Sequence, residues 1–219
     1  MTGFDTTALF SYAPSHWITF FTAALLLNIT PGPDMAYVLA HSVRRGRRAG
    51  FVAMGGVWTG AFLHVVLAAL GLSALLASSA VAFTLVKYLG ALYLVWLGIQ
   101  AWRASGESMP QATGQVVSGR STFGRGVLVA ALNPKVAVFF LAFLPQFVVP
   151  GAGPVGAQLF LHGCLIIAVA GFVEPPMVWF AAGFAKRMRE NVRMQRWLDR
   201  ALGSLFIALG LRLAMAPKS

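Results

Sequence analysis

One cysteine in 219 residues, Cys164, leaves no intrachain disulfide to form and no cysteine pair to hold a metal, and its apolar surroundings make it a core filler. Acidic side chains are scarce as well, six against seventeen Lys and Arg. No GxSxG elbow or HExxH pair is present, so an intramembrane hydrolase lacks its recognisable nucleophile or metal motif. The GxxxxGK[ST] phosphate loop is also missing, and with it a visible ATP site. Gly151-Ala152-Gly153-Pro154-Val155-Gly156 does match GxGxxG, but no strand precedes it, so the dinucleotide reading is rejected. No cofactor is called for.

Apolar sequence fills the space left by these absences. Hydrophobic residues make up 58% of the chain and charged ones 11%, in runs that a soluble domain of this length has no interior to bury. Crossing a bilayer takes ~20 apolar residues, and six spans are expected, at 17–42, 50–76, 80–102, 125–148, 155–184 and 198–216. The net charge of +11 falls in short clusters between these spans, the pattern that sets topology rather than nucleic-acid binding. Arg44, Arg45, Arg47 and Arg48, then Arg103, Arg120 and Arg125, then Lys186 to Arg200 mark three cytoplasmic connections, the last against anionic lipid. The uncharged links 77–79 and 149–154 then face outward, and both termini lie outside. The first apolar run carries no basic flank or small-residue cleavage site, so a cleaved signal peptide is not expected.

Leu89-Gly90-Ala91-Leu92-Tyr93-Leu94-Val95 resembles Leu202-Gly203-Ser204-Leu205-Phe206-Ile207-Ala208, and Pro33-Asp34 aligns with Pro134-Lys135. Three spans separate the copies, so each element is inverted relative to its partner. The expected fold is an all-α integral membrane protein of six transmembrane helices: two inverted three-helix repeats with broken helices 1 and 4. One transporter domain covers 1–219, with repeat 1 at 17–102, a flexible cytoplasmic linker at 103–124 and repeat 2 at 125–216.

The breaks are Asn28-Ile29-Thr30-Pro31-Gly32-Pro33-Asp34 and Asn133-Pro134-Lys135. Asp34 stands ten residues before Arg44 and Lys135 ten after Arg125, which at ~1.5 Å per helical residue puts both near the middle of a ~30 Å hydrocarbon core. A charge at that depth costs at least ~2.5 kcal/mol unless paired or hydrated. Pro31 and Pro33 each withhold a hydrogen bond from a carbonyl in the preceding turn, and Gly32 between them supplies backbone freedom. The freed carbonyls suit an ammonium or a cation, and the N–H groups opening the next half-helix suit a carboxylate, which together make a receptor for a zwitterion.

Leu27 to Asp34 together with Ala131-Leu132-Asn133-Pro134-Lys135 resembles the paired signature of the LysE/RhtB family of bacterial amino-acid exporters. The resemblance extends through the glycine-rich second span, Tyr88 to Leu94 and Leu209-Gly210-Leu211-Arg212, nearly the whole chain. It implies a bacterial inner-membrane protein exporting amino acids or close derivatives, driven by proton exchange. Family members differ in cargo, so it does not choose among basic, hydroxylated, branched-chain or sulfur-containing substrates. Carried over by position, Asn28, Pro31, Gly32, Pro33, Asp34, Asn133, Pro134 and Lys135 are the substrate-binding and translocation residues. Asp34 is expected to face the substrate ammonium or a proton, and Lys135 the carboxylate or Asp34; an Asp34–Lys135 pair that only locks the repeats together is the competing reading.

Glu174 lies outside that signature, before Pro175 and Pro176 and ~18 Å from the cytoplasmic edge. Apolar surroundings penalise its charged form, so with Asp34 it is a proton-coupling candidate, or else a glutamate that satisfies a break in the helix. His64 and His162 read as interhelical hydrogen-bonding residues, with a proton shuttle or a divalent-metal site with Asp34 and Glu174 as the alternative. That alternative defines the rival function, a divalent-metal or small-cation transporter. Gly56-Val57-Trp58-Thr59-Gly60 is a GxxxG face for a close helix neighbour, intrachain or in a homo-oligomer. Trp17, Trp102 and Trp197 fall at predicted membrane boundaries, and Lys87 snorkels to the headgroups.

Overall fold

The computed structural model describes residues 12–72, 80–103, 119–183 and 191–215. Its helices are α1 (Pro14–Ile29), α2 (Pro33–Arg45), α3 (Arg47–Leu67), α4 (Ala80–Arg103), α5 (Gly119–Ala131), α6 (Pro134–Val138), α7 (Val155–Trp179) and α8 (Val192–Met215). α3 runs on into a π-helical turn at Ala68–Leu72, and α6 into a π-helical turn at Phe139–Phe143 followed by a 3-10 turn at Leu144–Phe147. There is no strand among the described residues.

Local chemistry places the ends. Pro14, Pro33 and Pro134 all sit in the first turn of a helix, where a missing N–H costs nothing. α1 stops at the extended Thr30 because Pro31 and Pro33 cannot continue its ladder. α2 carries Asp34 in its first turn and Arg44 and Arg45 in its last, each matched to the helix dipole. Gly46 alone separates α2 from α3, at φ 82°, a left-handed value that favours glycine. In the second break Asn133 caps α6, its side-chain oxygen accepting from the Lys135 N–H at 3.0 Å.

Among the described residues two helices, Arg47–Gly71 and Val155–Trp179, are long and apolar enough to cross a membrane, and Gly119–Ala131 with Pro134–Phe147, bent by 53°, makes a third if taken as one span. The outer faces are apolar, Phe172 being 82% exposed and Leu132 77%, which in a water-soluble fold would be an aggregation hazard and in lipid is the expected face. α5 begins at Gly119, six residues before the expected start of the fourth span, and α8 at Val192, taking in much of the basic segment. Most of the expected linker, 104–118, lies outside the described residues, as does 184–190. α7 runs through Pro175 and Pro176 without interruption, so Glu174 stands on a continuous helix and not at a break.

Close packing follows small residues. Gly56 and Gly60 on α3 lie against α5: a Cβ at Gly56 would run into the Phe123 carbonyl and come within 3.1 Å of the Gly126 Cα. The GxxxG face is therefore filled within the chain. α4 and α8 approach as tightly, with Gly98 and Gly203 each facing the other's carbonyl. Phe20, Phe139, Phe143, Phe147 and Phe206 form the aromatic centre where α1, the second broken helix and α8 meet, with Cys164 packed partly buried against that cluster.

Replacing Gly56 or Gly126 by Leu is expected to destabilise the protein by about 1–3 kcal/mol through overpacking, read as a lower melting temperature in detergent. Gly55→Ala is the control: its added Cβ meets Phe123 at 3.7 Å, an ordinary contact, and the melting temperature should hold or rise.

Candidate translocation site

In an uninterrupted helix the Leu27 carbonyl would accept from residue 31 and the Thr30 carbonyl from residue 34. Pro31 has no N–H to give, and the extended Gly32 (φ −160°, ψ 178°) turns the chain away before Asp34. Both carbonyls are taken by Lys135: its Nζ donates to Leu27 O at 3.0 Å and to Thr30 O at 2.9 Å. The ammonium expected to bind at the freed carbonyls is thus the protein's own. Gly32 is a glycine for space and not for freedom. Any residue adopts its backbone angles, but a Cβ there would sit 2.7 Å from Asp34 Oδ1 and 3.4 Å from Lys135 Nζ.

The second break is served in the same way. His64 Nε2 lies 3.1 Å from Ala131 O, a carbonyl left over where α5 stops, and donates to it. Asn28 Nδ2 donates to Ala24 O at 2.8 Å, within its own helix. Asn133 Nδ2 is buried and has no hydrogen-bond partner, and Asp34 Oδ1 is likewise buried and unpartnered. Lys135 is reached by the fields of three carboxylates, Asp34, Asp199 and Glu174, while its direct bonds go to backbone.

Between the breaks lies a cavity whose polar lining is Asn28, Asp34, Trp58 and Glu174. Val57, Ala61, Val136, Phe140, Ile166 and Ile167 supply apolar wall. Glu174 Oε2 accepts from Trp58 Nε1 at 2.7 Å, a bond between two residues of the cavity lining. Two acidic groups and no basic one face the space, so it can take up a cation, an ammonium or a proton, against greasy walls.

Of the residues expected here, Asn28, Asp34 and Glu174 line the cavity; Pro31, Gly32 and Pro33 form the break beside it; Asn133, Pro134 and Lys135 build the opposing break and do not line it. His64 is an interhelical hydrogen-bonding residue, and His162 lies elsewhere, against His16. Trp58 was missed as a site residue because it sits inside the GxxxG stretch, where it reads as packing. The signal for Trp58 was a large indole with an N–H to satisfy among glycines. His64, His162, Asp34 and Glu174 do not gather, and among the described residues no group of three or more His, Cys, Asp or Glu can hold a metal.

Broken helices, an apolar exterior and acidic residues in the lining of a cavity are the features of a membrane transporter. The LysE family, described as LysE type translocator, matches residues 25–216, and the chain belongs to it. It is similar to a homoserine/homoserine lactone efflux protein of Salmonella typhi, 34% identical over 200 residues that cover 91% of this chain and 96% of that one. An uncharacterized membrane protein of Vibrio cholerae is 32% identical over 91% of this chain and 97% of its own length. A leucine efflux protein of Salmonella choleraesuis is 28% identical over 93% and 96%. No solved structure is a significant match.

Removing the ammonium by Lys135→Met leaves two carbonyls and the Asp34 charge without it, and a loss of about 3–5 kcal/mol is expected. Asp34→Asn in the same chain should recover part of that loss. Melting temperatures of the two single variants and the double variant form the cycle that measures it.

Proposed function

We propose that this protein is a secondary active exporter that moves amino acids or close derivatives out of the cytoplasm in exchange for protons. The observation that carries the reading is a cavity lined by both Asp34 of the first broken helix and Glu174 of α7. Asp34 Oδ1 has no partner of its own and is the group to meet a substrate ammonium or a proton. Glu174, held by Trp58, is the second proton-coupling group. Asn28, Pro31, Gly32, Pro33, Asn133, Pro134 and Lys135 shape the site, Lys135 by holding the first break open. The names of the relatives, for homoserine, homoserine lactone and leucine efflux, and the apolar wall support a neutral amino acid or a derivative over lysine or arginine.

In this reading the chain is one domain of six spans in the bacterial inner membrane, both termini outside, with repeat 1 at 17–102 and repeat 2 at 125–216. Packing supports the inverted repeat. Exchanging spans 1, 2 and 3 for 4, 5 and 6 turns the α3–α5 contact into α7–α1 and leaves α4–α8 unchanged, and all three contacts exist. One repeat then rocks against the other about the cavity. The divalent-metal reading gains no support from the dispersed histidines. A homo-oligomer is compatible with this arrangement but not needed by it, since the GxxxG face is used internally.

Proteoliposomes loaded with labelled homoserine, leucine or lysine and given an inward proton gradient test the reading. Homoserine or leucine should leave in a gradient-dependent way, and Asp34→Asn should lower the rate at least ~10-fold, of order 1.4 kcal/mol in the barrier. Glu174→Gln should uncouple release from the gradient. Release by native protein that ignores collapse of the gradient would sink the coupling, and no release of any amino acid would sink the cargo.

A further inference from the structure

At the end of the bundle away from the arginine cluster, two imidazoles are in direct contact. His16, in the first turn of α1, and His162, in α7, place their Nε2 atoms 2.8 Å apart. His162 Nδ1 is 2.8 Å from the Gln158 carbonyl. A carbonyl only accepts, so that nitrogen carries a proton. In the neutral ring His162 Nε2 is then the acceptor, and His16 Nε2 the donor.

Counting protons gives the pair two kinds of state. One extra proton is carried without losing the contact, as an imidazolium on either ring donating to the bare Nε2 of the other. A second extra proton sets N–H against N–H at 2.8 Å between two positive rings, and the bond is lost. The surroundings form a built site. His162 is 1% exposed, with Trp17 stacked on it at 5.5 Å and the Phe20 and Phe147 rings edge-on or tilted at 4.9 and 6.0 Å. Gln158 uses its whole amide nearby: it accepts from Tyr12 Oη and the Val149 N–H, both at 2.9 Å, and donates to the carbonyls of Val149 at 3.0 Å and Gly153 at 2.8 Å.

Among the described residues, the titratable or charged groups facing the pair are few. Tyr12 stacks on His16, Arg212 of α8 is the charged side chain whose field reaches it, α7 adds Cys164 two residues on, and the turn Leu144–Phe147 brings none. Asp5 lies outside the described residues. Below the pair, Phe20 packs on Phe143 and Phe147, and Leu27 of the same cluster reaches the cavity wall. The histidines therefore sit at the α1–α7 contact, over an aromatic cluster that reaches the cavity wall through Leu27.

We propose that His16 and His162 form an outward proton-binding site whose contact keeps the outer end of the pathway shut, and that protonation of both rings from outside parts α1 from α7 and opens it. The sidedness rests on the orientation and exporter reading given above; the proton-controlled contact rests on the geometry of the pair. An acidic exterior would thus favour the outward-open form, the form an exporter needs in order to release its cargo and take up its proton.

The experiment uses the full chain in liposomes with Cys164→Ser and nitroxide labels at Ser15→Cys and Phe160→Cys, both exposed positions on the two helices. Pulsed electron paramagnetic resonance at pH 8 and pH 5 reads their separation. A longer-distance population should at least double its share at pH 5, and His16→Gln, which keeps a donor but does not titrate, should abolish that change. The variant His16→Asn with His162→Asn should likewise show one distribution at both pH values. An unchanged distribution with the native histidines overturns the proposal, and so does a pH response that survives His16→Gln. No substrate is needed, so failure of the exporter reading and failure of this one show up in different experiments.

Discussion

Everything at the centre of this molecule depends on one ammonium group placed against two carbonyls. In hydrocarbon a helix cannot stop, since no water is at hand for the carbonyls it leaves behind. α1 stops all the same, because Lys135 arrives from the second broken helix with donors for Leu27 and Thr30. His64 does the same for Ala131, where α5 stops. Each break is completed by a side chain from another helix, so neither break survives by itself. The same contact dictates Gly32, whose missing Cβ leaves room for the Asp34 carboxylate and the Lys135 ammonium.

This use of Lys135 divides the charges by task. The cation is directed at backbone, and the carboxylates of Asp34 and Glu174 at the cavity. Asp199 and Glu174 join Asp34 in the field around Lys135, so the cation is balanced from several helices. As built, Asp34 Oδ1 stays buried and unsatisfied, the state in which a polar atom gains most from an incoming N–H.

Both breaks were legible in the sequence, because proline chemistry is local: Pro31, Pro33 and Pro134 sit where helices end or begin, and Asn133 caps its own helix. What Lys135 binds was not legible, since its partners lie 105 and 108 residues away. The reason for Gly32 was misread as conformational for the same cause: the crowding comes from side chains that only the fold brings together. The Trp58–Glu174 bond spans 116 residues, and His16 showed no local signal, an imidazole near the end of an apolar run with its partner in another helix. The continuous course of α7 through Pro175 and Pro176 shows the reverse, tertiary packing overriding a local helix breaker.

Gly46 has a mechanical side. A single residue joins α2 to α3, which leaves the chain no slack between them. If α2 swings about the Pro31–Pro33 break, the start of α3 must travel with it. The glycine face of α3 is clasped by α5, and Tyr37 of α2 already holds the Thr122 carbonyl of α5 at 2.7 Å. Three helices from two halves of the chain are therefore tied into one packed block at the arginine-rich end of the bundle, and the parting of the two halves has to be taken up where that block meets the remaining helices.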